Sequence, residues 1–87
     1  MVVTKIVFRK IVPQKGLIGF VEFVLDNCLY LGNVGVFTRL NKDTVRLVFP
    51  EKKVGDKTIK LFHPVSTEFY FQLEKIVNEK LKEKNDN

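Results

Sequence analysis

Residues 45–64 read Val-Arg-Leu-Val-Phe-Pro-Glu-Lys-Lys-Val-Gly-Asp-Lys-Thr-Ile-Lys-Leu-Phe-His-Pro. Val45, Leu47 and Phe49 alternate with Arg46 and Val48, and this period of two predicts a strand with one buried face over 44–49. Pro50 has no N–H for a further ladder bond, so the strand is predicted to end there. Gly55-Asp56 predicts a turn, after which 57–62 resumes as a strand. The stretch is therefore predicted to form a strand, a lysine-rich turn and a returning strand that leads into a helix.

The same stretch concentrates positive charge. Between residues 46 and 60, five cations stand against two anions, a net charge of +3, whereas residues 61–87 carry four cations and five anions, a net charge of −1. Cations on an exposed turn release counterions when they contact phosphates, so this segment is a candidate nucleic-acid contact. A solvated charged hairpin is the ordinary alternative. The predicted contacts are Arg46, Lys52, Lys53, Lys57 and Lys60.

Length and composition indicate one globular domain over residues 1–87. The chain has 45% hydrophobic residues, eight phenylalanines and a net charge of +5. It has no apolar run of the roughly 18 residues that span a bilayer, and charges interrupt its first apolar stretch, so neither a membrane span nor a signal peptide is predicted. The single cysteine excludes an internal disulfide. A cytoplasmic protein is expected.

The predicted fold class is α+β: a mostly antiparallel sheet of about five strands followed by one C-terminal helix. Turns are expected at 13–16 and 26–27, with a bend or bulge in the third strand near Gly32-Asn33 and Gly35, and a polar loop at 38–43. The five predicted strands are 2–12, 17–25, 28–37, 44–49 and 57–62.

The predicted helix begins after Pro64. Ser66 is a suitable N-cap, and Glu68 lies in the first turn, where the helix dipole favours an anion. Phe71 falls on the polar side of the helix, where it is a candidate contact for a partner. The apolar stripe at helical spacing consists of Phe69, Leu73, Ile76 and Val77, with Tyr70 and Leu81 at its margins.

Both faces of the second and third strands are apolar. Val21, Phe23 and Leu25 are predicted to oppose Ile18, Phe20 and Val24, and in the third strand Cys28, Tyr30, Val34 and Val36 are predicted to oppose Leu29, Leu31 and Phe37. A single helix covers one face of a sheet. We therefore expect a second subunit on the other face, because exposed apolar sheet faces are uncommon. A curled sheet that packs on itself is the alternative.

The sequence lacks the constellations typical of enzymes. His63 is the only histidine, and before a proline it is expected to be a turn or cap residue. Cys28 is expected to be a small buried hydrophobe, and these two residues are too few for a zinc site. No catalytic residues, metal, cofactor or small-molecule substrate are expected. Arginine is scarce, so weak sequence specificity is predicted for any nucleic-acid binding.

The order of these elements resembles the septation-regulator family SpoVG, small bacterial regulators of septation, sporulation and gene expression. The resemblance covers nearly the whole chain. It is most specific at 49–53, Phe-Pro-Glu-Lys-Lys, then Asp56, then His63-Pro64-Val65, where the family has Met-Pro-Ser-Lys-Arg or -Lys, an Asp-Gly turn and His-Pro-Ile. Glu51 departs from the usual serine, and Gly55-Asp56 inverts the usual turn.

The resemblance implies a homodimeric, non-enzymatic protein that binds DNA and, in some members, RNA. Lys52-Lys53 match the basic pair after the family proline, so the resemblance carries the nucleic-acid role onto these two positions. Arg46, Lys57 and Lys60 are added from the charge distribution. The alternative is a protein-interaction module in cell-division control, which would hold a partner through apolar sheet surface or Phe71 without contacting nucleic acid.

Overall fold

The computed structural model describes residues 2–39 and 44–85, with side chains as far as Lys82. Its six strands and one helix are β1 Val3–Gln14, β2 Leu17–Leu25, β3 Leu29–Thr38, β4 Val45–Val48, β5 Glu51–Val54, β6 Lys57–Lys60 and α1 Thr67–Asn85. Strands β1 to β4 form an antiparallel sheet in chain order, the main sheet, and β5 and β6 form a separate antiparallel pair. The predicted α+β class, with one helix after the strands, is confirmed.

The predicted arrangement of five strands is corrected at the lysine-rich stretch. Residues 51–54 form strand β5 instead of a turn, and β6 pairs with β5 instead of joining the main sheet. Pro50 ends β4, as predicted, but the chain remains extended after it. Gly55 has φ +61° at the first of the two central turn positions, as in a type II′ turn, which suits a two-residue hairpin. The turn is therefore only Gly55-Asp56.

The turn predicted at 13–16 is also shorter than expected. Pro13 and Gln14 belong to β1, and only Lys15 and Gly16 form the turn, with φ values of 51° and 92°. Strand β1 lies at the edge of the main sheet, where a proline removes no ladder hydrogen bond if its nitrogen faces outward. The predicted 26–27 turn is confirmed: Cys28 N–H donates to the Leu25 carbonyl at 2.9 Å. The predicted 38–43 loop lies mostly outside the described residues.

The predicted bulge at Gly32-Asn33 is present and reverses the alternation of β3. Val21 pairs with Val34 but Phe23 pairs with Leu31, so β3 holds one more residue than β2 over this interval. An extra residue moves every side chain beyond it to the opposite face. Tyr30 consequently shares a face with Phe37, and Leu31 shares one with Val34. The predicted grouping of Tyr30 with Val34 and Val36 is wrong for this reason.

Strand β2 has a second irregularity at Ile18. Leu17 pairs with Phe37 while Gly19 pairs with Val36, so Ile18 is the additional residue. Ile18 packs against the hydrophobic core instead of pointing away from it as predicted. Phe20 and Val24 keep their predicted direction, because the extra residue of the other irregularity belongs to β3 and leaves the alternation of β2 unbroken from Gly19 onward.

The core lies between one face of the main sheet and α1. Phe23, Leu73 and Val77 are at most 1% exposed. Ser66 caps the helix as predicted, accepting a hydrogen bond from Phe69 N–H at 3.2 Å. None of the described residues belongs to a helix long and apolar enough to cross a membrane. The buried apolar residues are Val21, Phe23, Leu25, Val34, Val36, Val45, Leu47, Phe49, Leu73 and Val77.

Polar side chains of α1 also close the outer edge of β4. The Tyr70 hydroxyl accepts a hydrogen bond from Leu47 N–H at 3.2 Å and donates one to the Leu47 carbonyl at 3.1 Å. Asn78 Oδ1 accepts from Val45 N–H at 2.9 Å. Burial raises the pKa of Tyr70, which stays protonated and able to donate. These bonds satisfy backbone groups that would otherwise invite strand pairing.

An ion pair joins the same helix to Arg39, the residue that follows β3. Arg39 Nη2 lies 2.7 Å from both carboxylate oxygens of Glu74, and Glu74 is the one buried charged residue among those described. The hydrogen bond to Glu74 raises the pKa of Arg39, which is charged at every ordinary pH. No sequence pattern predicts this pair, because Arg39 and Glu74 are 35 residues apart.

Candidate nucleic-acid interface

The hairpin of residues 51–60, called the basic hairpin here, carries four of the five predicted contacts. All ten of its residues are exposed. Its base is closed by a hydrogen bond from Leu61 N–H to the Pro50 carbonyl at 2.9 Å. The pairing runs Glu51 with Lys60, Lys52 with Ile59, Lys53 with Thr58 and Val54 with Lys57. The short turn and this register keep four lysines within two four-residue strands.

The register places the lysines on both faces of the hairpin. Directly opposed residues share a face and neighbours along a strand alternate. Lys52 and Lys57 therefore lie on one face, whose other residues are Val54 and Ile59. The opposite face carries Lys53 and Lys60. The adjacent pair Lys52-Lys53 thus points to two sides of the hairpin.

The cations differ in how far they are neutralised. Lys60 Nζ lies 3.9 Å from Glu51 Oε2, and both side chains are more than 40% exposed, so water and salt screen this pair. Among the described residues, Lys52, Lys53 and Lys57 form no ion pair. These three lysines are the ones whose charge is fully available to a polyanion.

Arg46 lies apart from the hairpin. It belongs to β4 of the main sheet, and its guanidinium stands 5.0 Å from the centre of the Phe37 ring. This distance is typical of a cation–π contact. The structure therefore divides the five predicted residues into four on the hairpin and one on the main sheet.

The face of the main sheet turned away from α1, called the outer face here, was not predicted as a site. Phe20, Tyr30 and Phe37 lie there, together with Arg9 and Arg46. Arg9 Nε lies 3.1 Å from Glu22 Oε2, and a hydrogen bond to Glu22 is the main cause of the raised pKa of Tyr30. The bulge signal at Gly32-Asn33 was available in the sequence, but its effect on side-chain direction depends on the pairing register.

An apolar groove of about 430 Å³ lies where the chain enters α1. Val65 is 93% exposed beside it, and Leu29 is 48% exposed. His63 also lines this groove. Its Nδ1 lies 3.1 Å from the Pro64 carbonyl, in the loop position predicted for it. The lining residues are Leu25, Leu29, Leu31, Phe49, Phe62, His63, Pro64, Val65, Ser66, Phe69 and Leu73.

Cys28 is exposed in the turn before β3, so the prediction of a buried cysteine is wrong. The strand begins one residue later than expected, at Leu29, and the turn carries Cys28 out of the apolar alternation. Phe71 is 56% exposed on the helix, as its position on the polar side predicted. Within residues 2–39 and 44–82 no three histidine, cysteine or acidic side chains are grouped to hold a metal ion.

Comparison with known proteins assigns no family to this chain. The chain matches no family model. No curated protein is similar enough to match it.

Proposed function

We propose that this protein is a small, non-catalytic bacterial regulator of the SpoVG type that binds nucleic acid through the basic hairpin. DNA is its main ligand and RNA a second one, and binding influences septation, sporulation and gene expression. The observation that carries the proposal is an exposed two-stranded hairpin with four lysines, three of which form no ion pair within the described part of the chain.

The hairpin geometry supports a mode of binding to duplex DNA. A two-stranded β-ribbon fits the major groove, which is about 12 Å wide. Lys52 and Lys57 on one face and Lys53 and Lys60 on the other would reach the phosphates on opposite walls of that groove. Lysine is a point charge without the bidentate geometry that reads guanine, so the contacts position the protein with little sequence specificity.

Binding through these lysines is expected to weaken steeply with salt. Each neutralised phosphate contributes about −0.9 to the slope of log K against log salt, so four lysines predict a slope of roughly −3 to −4 per subunit. Fluorescence anisotropy with a labelled mixed-sequence duplex, at low and physiological salt, measures it. Absence of binding by a folded sample would contradict the proposal.

The proposed regulator acts as a homodimer, which presents two basic hairpins to one nucleic acid. The surface around the apolar groove suits a second copy, because Leu29, Leu61 and Val65 are all about half exposed or more. Sedimentation velocity at micromolar concentration is expected to show a species of twice the 10.1 kDa chain mass. A single 10 kDa species would contradict the dimer. It would not bear on the basic hairpin, which the anisotropy measurement tests separately.

The apolar groove and exposed Phe71 favour one alternative function, a protein-interaction module in cell-division control without direct nucleic-acid binding. The dependence of binding affinity on salt concentration distinguishes the two functions. Apolar docking changes little with ionic strength, whereas phosphate contacts are lost.

A further inference from the structure

We infer that the outer face of the main sheet is a second nucleic-acid site, which takes the unpaired bases of a single strand. The inference rests on the proposed function in one respect, that the ligand is a nucleic acid. It assigns to that ligand a surface other than the basic hairpin and a strand state other than duplex. The juxtaposition that carries it is an array of aromatic rings with cations between and beside them.

Two aromatic side chains of β3 lie over glycines. A Cβ placed on Gly32 would stand 2.6 Å from the Tyr30 hydroxyl and within 2.9 Å of its ring carbons. A Cβ placed on Gly35 would stand 3.1 Å from Phe37 Cε1. Each ring therefore leans along the strand onto a position that has no side chain. Tyr30 held down in this way offers its ring surface to a flat ligand, and over Phe37 the Arg46 guanidinium, 5.0 Å from the ring centre, offers a second kind of plane on which a base stacks.

The rings remain accessible to solvent. Tyr30 is 60% exposed, and Phe20 and Phe37 are partly exposed. Neither Phe20 nor Phe37 belongs to the hydrophobic core, which lies on the opposite face with α1. Exposed aromatic rings on a sheet are a platform on which successive bases stack, with about 1–3 kcal/mol lost per base when such a ring is removed.

Cations accompany these rings. Arg9 pairs across the strands with Phe20, Lys5 pairs with Val24, and Arg46 stands over Phe37. Among the described residues, Glu22 is the acidic residue on this face, and it is already bound to Arg9 at 3.1 Å. Three cations against one anion leave a net charge of +2, which complements the phosphates between stacked bases.

The same charge argues against other occupants. The occupant expected from the sequence, a second copy placed face to face, would set +2 against +2 across an apolar contact, which costs both repulsion and desolvation. A duplex keeps its bases stacked inside, out of reach of the rings. An acidic peptide would satisfy the cations but leave the aromatic surfaces unused. A single strand is the ligand that satisfies both.

The test uses the full chain, labelled oligo-dT of 15 nucleotides and a labelled 15-base-pair duplex. The variant Tyr30→Leu/Phe37→Leu keeps apolar volume but removes two rings. It is expected to weaken oligo-dT binding by about tenfold or more, and duplex binding by less than about twofold. Phe71→Leu removes an exposed ring from the helix instead and is the matched control, expected to change neither affinity.

A second measurement needs no variant. Oligo-dT added to isotope-labelled wild-type protein is expected to shift the aromatic NMR signals of Phe20, Tyr30 and Phe37. If Tyr30→Leu/Phe37→Leu binds oligo-dT as tightly as the wild type and Lys52→Glu/Lys53→Glu does not bind it, this inference is overturned and the proposed function is not. Loss of a dimer in the double variant, seen by sedimentation, would overturn it by showing a second copy on this face. Failure of the wild type to bind either nucleic acid would overturn both the inference and the proposed function.

Discussion

Replacing Lys52 and Lys53 together by glutamate is expected to abolish duplex binding and leave the protein folded. The two side chains lie on opposite faces of the basic hairpin, so the double change reverses the charge on both. The hairpin charge falls from +2 to −2, because four lysines stand against Glu51 and Asp56 in the native chain. Repulsion from phosphates then replaces attraction, and anisotropy should report no binding at physiological salt. The fold should persist, since both lysines are exposed.

The matched control is Lys75→Glu/Lys82→Glu, which makes the same change of net charge on the exposed side of α1. It is expected to lower duplex affinity only slightly, through the overall charge of the protein. Equal losses in both variants would mean that total charge, and not the hairpin, governs binding. Unchanged affinity in the Lys52/Lys53 variant would remove the hairpin from the site.

Phe23→Ala is expected to unfold much of the protein at 37 °C. Phe23 has no exposed surface and lies at the centre of the β2 core face. Removing a buried phenylalanine costs about 3–5 kcal/mol, because the transfer free energy is lost and a cavity remains. A domain of this size has little more total stability than that. The melting temperature measured by circular dichroism should fall by more than about 10 °C.

Phe71→Ala is the matched control, since it removes the same side chain from a site that is 56% exposed. Its stability should stay within about 0.5 kcal/mol of the native value. A large loss from Phe71→Ala would indicate that Phe71 is covered in solution, as in the protein-interaction alternative. A small loss from Phe23→Ala would contradict the position of the core.

The two candidate surfaces arise from different features of one sheet architecture. Pro50 ends β4 and releases the chain into a hairpin that stands apart from the main sheet. In the described part of the chain one helix packs on the main sheet, and Tyr70 and Asn78 bind it to the β4 edge. The outer face of the main sheet, turned away from this helix, carries Arg9, Phe20, Tyr30, Phe37 and Arg46. A hairpin for phosphates and a face for bases are compatible because they do not share residues.

Much of the local structure was predictable because it depends on neighbouring residues. Period-2 alternation predicted the limits of β2. Capping chemistry predicted the role of Ser66. Residues that tolerate positive φ predicted the 26–27 turn and the bulge at Gly32-Asn33. The lysine-rich segment was also evident, since charge can be counted along the chain.

The errors at residues 51–54, Tyr30 and Ile18 share one physical cause, which is strand pairing. Residues 51–54 are too short and polar to identify as a strand until 57–60 lies beside them. The faces of Tyr30 and Ile18 depend on which residues oppose them across the ladder, and one extra residue reverses them.

The sequence alone determined the α+β class, the helix start and the positive charge at residues 46–60, because each depends on local propensity or composition. Only the tertiary structure decided that Lys52 and Lys53 face opposite ways, that Arg46 stands over Phe37, and that Arg39 pairs with Glu74. Those relations join residues by register and packing across the fold, which no local pattern encodes.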